Sequence, residues 1–135
     1  MRCVCLRNGI IAISSDLFMQ AQEINISKCY VGAPHEKCLV LVRCTKIAEY
    51  GDRGHREYEF HGMYLSFSFG SFSAYENVTF RPEYLLEEIP EDTFFKIKRI
   101  GGTEACRLIK ELYDAAKLRK AMEETDMDVR HYVCD

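Results

Sequence analysis

Four basic side chains crowd around a glycine pair in KIKRIGGTEACR, residues 96–107. Lys96, Lys98 and Arg99 precede Gly101-Gly102, while Thr103 and Arg107 follow. Glycines let a phosphate approach the backbone, and a helix that begins there presents unpaired amides and the positive end of its dipole. On this reading Lys96, Lys98, Arg99, Gly101, Gly102, Thr103 and Arg107 form an anion-binding loop between a strand and a helix. Residues 93–121 hold eight Lys or Arg against three acids, whereas residues 83–92 hold five acids and no base. Charge is therefore segregated along the chain and polarises the surface. The segment is neither a Walker loop nor a dinucleotide fingerprint. Its plainer reading is a helix capped by Thr103 with a solvated basic face.

Metal chemistry is the second candidate. His35-x-x-Cys38 and His131-x-x-Cys134 share a spacing, and Cys3-x-Cys5 adds two thiols. Zinc takes four such ligands in tetrahedral sets. There is no CxxC pair, and buried free thiol is the plainer account, so no metal or cofactor is assigned. Nucleophilic catalysis is the third. Seven cysteines (3, 5, 29, 38, 44, 106 and 134) and four histidines (35, 55, 61 and 131) supply many combinations. Partners need not be near in sequence, so their coexistence singles out no pair. Asp52, Glu57 and Glu59 could offer acid–base groups, again without a defined pair. Aromatics interleave with bases, as in single-strand binders, only at Phe94-Phe95-Lys96, where core packing explains them as well.

The elements that must position these groups fit in one domain, residues 1–135, large enough to bury a core without disulfides. A hydrophobic content of 47% with 29% charge describes a folded chain rather than a disordered one. The net charge of −3 argues against general DNA coating, which needs a basic excess. No apolar run approaches the roughly 20 residues of a membrane span. The N-terminal MRCVCLRNGI is interrupted by Arg7 and Asn8, unlike an export signal. The expectation is a cytoplasmic protein with reduced cysteines, in which the sequons at Asn25 and Asn77 carry no sugar.

Alternation predicts strands at residues 2–6, 9–13 and 24–31, with a short helix over 16–23. Residues 37–47 are apolar on both faces and read as a central strand. The polar stretch 49–57 reads as a hairpin loop. From Tyr58 to Ala74 the parity slips at Gly62 and again at Gly70. Both slips suggest β-bulges that re-aim the chain, the second alternatively a two-residue turn at Gly70-Ser71. The favoured version keeps Leu65, Phe67 and Phe69 on one face. Pro82 begins a helix over residues 83–89, which Pro90 stops. Residues 93–100 form a last strand, and a helix runs from Thr103 to about residue 124, with Ala105, Leu108, Ile109, Leu112, Ala115, Ala116 and Met122 on its apolar side. Residues 128–134 fit a strand or an extended arm.

The expected fold class is α+β, a bulged, mainly antiparallel sheet of about six strands packed by a long C-terminal helix. In element order this outline resembles a pleckstrin-homology-type arrangement. The function expected is a non-enzymatic binding or inhibitory module for a protein partner or an anionic, nucleotide-like or phosphorylated ligand. A virus-type sequestering protein fits that description. A small hydrolase or transferase using a Cys/His pair and a zinc-stabilised interaction domain are the alternatives. An apolar patch around Tyr64 and Phe72 would predict a homodimer.

Overall fold

A computed structural model describes Met19, residues 23–51, Gly54 and residues 57–133, with side chains as far as residue 123. The described residues form five strands in chain order: β1 (Cys29–His35), β2 (Cys38–Tyr50), β3 (Glu57–Ser68), β4 (Ser71–Phe80) and β5 (Leu85–Ile89). They also form two α-helices, α1 (Glu91–Ile100) and α2 (Gly102–Val133). The strands form one antiparallel sheet in the order β4-β3-β2-β1-β5, and α2 packs against it. This is the expected α+β class, with five strands among the described residues against about six expected. The expected strands at 2–6 and 9–13, most of the helix over 16–23, and Cys134 lie outside the described residues.

The central-strand pattern of residues 37–47 becomes β2, and its two faces enter two apolar layers. Leu41, joined by Leu39, meets Phe94 and Ile97 of α1 and Ala105, Ile109 and Ala116 of α2. Val40, Val42 and Cys44 face the other way, toward Tyr30, Phe60, Phe80 and Leu85. Phe94 and Ile109 are fully buried, and burial on that scale is worth about 2–3 kcal/mol for each side chain. Arg43 ties the helical layer to the sheet. Its guanidinium lies 5.3 Å from the centre of the Phe95 ring and 2.9 Å from Glu91 Oε2.

The parity slip at Gly62 marks a real irregularity. The β2–β3 register shifts between Cys44 and Lys46, and the β3–β4 register shifts between Gly62 and Tyr64. The extra residues thus fall on the strands flanking β3, beside Gly62. A Cβ added at Gly62 would stand 1.9 Å from the Arg43 carbonyl oxygen, so close approach of the two backbones requires glycine.

The second slip is a turn. Ser68 pairs with Ser71, and the two residues between them, Phe69 (φ 52°) and Gly70 (φ 79°), both have positive φ. That is the signature of a type I′ hairpin turn. The chain reverses one residue earlier than Gly70-Ser71, and Phe69 does not continue the buried row of Leu65. It stands 76% exposed at the turn.

Beyond β4 two assignments exchange. Only Pro82–Tyr84 is helical, as one 3-10 turn, and Leu85–Ile89 is an edge strand paired with β1. The expected strand over 93–100 is instead α1. Its apolar anchors Phe94 and Ile97 are spaced i, i+3, Glu91 and Asp92 lie in its first turn, and Lys98 and Arg99 lie in its last. Both charge pairs suit the helix dipole. α2 runs unbroken to Val133, so residues 128–133 are helical.

Candidate functional site

At the expected anion loop, the chain passes from helix to helix through a single residue. Gly101 donates its N–H to Ile97 O (3.0 Å) and closes α1, while its carbonyl accepts the first bond of α2 from Ala105 N–H (3.1 Å). The residue whose carbonyl accepts that first bond is the N-cap, so the cap is Gly101 and Thr103 lies inside the helix. With φ at 63° and 61°, Gly101 and Gly102 supply the left-handed backbone of the corner. The Phe72 ring lies 3.8 Å from a Cβ placed on Gly101, whereas the space around Gly102 is open.

The charged side chains there are drawn in several directions. Lys98 reaches Glu76 of β4 (3.3 Å). Arg107 forks between Glu104 and Glu111 on its own helix, and this pairing raises its pKa while holding the Glu104 carboxyl below its usual range. Lys96 and Arg99 are exposed. The structure therefore places Gly101, Gly102 and Thr103 together and engages Lys98 and Arg107 with carboxylates.

A cleft of about 470 Å³ opens elsewhere, where two hairpin turns meet the middle of α2. Strand register builds its floor. Cys38 pairs with Ser68 and Leu39 with Phe67, which sets Lys37 opposite Phe69 one step further on. The Phe69 N–H donates to the Lys37 carbonyl at 3.4 Å and links the two turns. Glu36 comes from the same turn as Lys37. The opposite wall is helical: Lys110, Tyr113, Asp114 and Lys117 recur at i, i+3, i+4 and i+7 and so share one face of α2.

The electrostatics are mixed. Lys110 pairs with Asp114 at 3.0 Å. Lys37, Lys117 and Glu36 form no ion pair among the described residues. The Tyr113 hydroxyl is held protonated above its ordinary range, mainly by burial and further by the Asp114 charge. Phe69 projects at the mouth with His35 beside it, their ring centres 6.5 Å apart.

The sequence pattern does not reveal this site because Phe69 reads as part of a core row and the bases of the helix after Thr103, which include Lys110 and Lys117, read as a solvated basic face. The available signal was the polar i, i+3, i+4, i+7 row directly beside the apolar row of Ala105, Ile109, Leu112 and Ala116.

The catalytic and metal candidates among the described residues gain no geometry; Cys3, Cys5, Asp52 and His55 lie outside those residues. Cys29, Cys38, Cys44 and Cys106 are free and buried. Burial raises all four thiol pKa values, that of Cys29 to about 12 despite the nearby Arg43 charge. A nucleophilic cysteine requires the opposite shift. Cys44 donates to the Lys46 carbonyl, and Cys38 meets Ser68. His61 lies 2.6 Å from Glu59, which also accepts from Tyr50, on an open strand surface. No group of three or more His, Cys, Asp or Glu is arranged to hold a metal among the described residues. His131 and Cys134 lie beyond the described side chains. No helix among the described residues is long and apolar enough to cross a membrane. Tyr64 and Phe72 lie on opposite faces of the sheet, in separate apolar layers, so they form no common patch.

Compared with protein-family models, curated proteins and solved structures, the chain matches none.

Proposed function

We propose that this protein is a non-enzymatic binding module that captures an anionic small ligand in the cleft between its hairpin turns and α2, as a sequestering or inhibitory protein does. One observation carries the reading. Lys37 and Lys117 line an open, shallow cleft with Phe69 while neither ammonium is ion-paired among the described residues. Ligand sites commonly span about 300–1,000 Å³ with a few polar groups that fix orientation, and the volume of this cleft falls in that range. The four described thiols are buried, with pKa values raised by that burial, and this supports binding over chemistry at those positions.

Calorimetric titration with inorganic pyrophosphate at low salt tests the reading. The wild type binds, affinity falls as salt rises because the contact is electrostatic, and a K37Q/K117Q variant loses at least tenfold. Absence of binding, or equal binding by the variant, refutes it.

A second reading keeps the anion at the start of α2, where the open space at Gly102 admits a phosphate. It predicts that K96Q/R99Q, and not K37Q/K117Q, abolishes pyrophosphate binding.

A further inference from the structure

The cleft is not designed for a bare anion. Two carboxylates, Glu36 and Asp114, stand among its lysines, and both would repel phosphate or sulfate. They suit a ligand that brings hydrogen-bond donors as well as negative charge. Asp114 is engaged by Lys110, which leaves Glu36 as the acceptor without an ion pair among the described residues. Phe69 adds a third requirement. A phenylalanine at φ 52° occupies a turn position that asparagine or glycine fills at lower cost, and most of its side chain gains no burial in return. Strain kept at an exposed aromatic points to use of the ring itself. The ring stands at the mouth of the cleft as a platform for another planar ring.

From these features we infer that the cleft takes a nucleotide: a base stacks on Phe69, sugar or base donors reach Glu36, and phosphates lie toward Lys37 and Lys117. The inference rests on the cleft being the binding site and names the ligand class. Stacking uses the π-face that every base presents, so the site reads the nucleotide class before it reads the base. No bond is made or broken.

Calorimetry with four nucleoside diphosphates (ADP, GDP, CDP and UDP) and with pyrophosphate separates the two levels of the argument. The best diphosphate binds at least tenfold more tightly than pyrophosphate. F69N, which suits the turn and removes the ring, reduces that binding about tenfold, as expected for one lost base–aromatic stack, and leaves pyrophosphate binding unchanged. E36Q weakens the diphosphate and strengthens pyrophosphate. If pyrophosphate binds as tightly as every diphosphate, or F69N leaves all five affinities alone, the nucleotide inference fails while anion capture stands. If none of the five binds, both fail.

Discussion

Replacing Gly62 with alanine probes the least forgiving joint in the sheet. The new Cβ would stand 1.9 Å from the Arg43 carbonyl oxygen. An ordinary non-bonded separation of about 3.5 Å requires roughly 1.6 Å of displacement. Side-chain motion cannot supply it, because the obstacle is backbone in the neighbouring strand. Moving β2 and β3 apart by that much disrupts the Cys44–Gly62 pairing, and Gly62 is buried. An amide or carbonyl left unpaired there costs about 1–3 kcal/mol, and overpacking adds about 1–3 kcal/mol, so G62A should destabilise by about 3–4 kcal/mol. Gly70 supplies the control. It has φ 79° with nothing within 4 Å of an added Cβ, and G70A should cost only the left-handed strain, about 1–2 kcal/mol. Urea denaturation followed by far-ultraviolet circular dichroism measures both. Equal costs, or a G62A loss under 1 kcal/mol, would refute the close-approach argument.

Arg43→Ala removes both the Glu91 ion pair and the contact over Phe95 and should cost about 2 kcal/mol, measured as a lower urea midpoint. Phe95→Leu should recover part of the loss in a double-mutant cycle if the ring contact is coupled. Cys29, Cys38 and Cys44 should resist iodoacetamide at pH 8 in the folded protein and react in urea, as read by peptide mass mapping; rapid native labelling would contradict their burial. The Cys29 thiol ionises near 9.0 when unfolded and near 12 when folded. Below pH 9 both states keep the proton and its contribution to stability is intact. Above pH 9 the unfolded chain ionises first, so Tm should fall as pH rises toward 12. The raised hydroxyls of Tyr30 and Tyr84 add to the fall above pH 10. C29A should flatten the first part of that slope.

The α+β class, the doubly covered strand at residues 37–47 and the terminal helix were legible because a short run apolar on both faces marks a central strand and residues 105–116 place their apolar side chains on one face of a helix. LLEEI and TFFKIKRI were exchanged because both are too short for periodicity to arbitrate. The arbiter lay in the charges, acids at the start of α1 and bases at its end. Gly62 was legible as an irregularity, yet not its cause, since the Arg43 carbonyl that excludes a Cβ comes from a strand paired across the β2–β3 hairpin. The cleft was the least legible feature. Its residues come from segments around 36, 69 and 113, which only the hairpin register and the crossing of α2 bring together.

Nuclear magnetic resonance mapping of amide shifts during a pyrophosphate titration tests the central claim directly. Shifts concentrated at residues 36–39, 67–70 and 110–117 place the anion in the cleft, as the account predicts. Shifts concentrated at residues 101–107, with the cleft unmoved, would contradict it and return the site to the glycine corner between the helices.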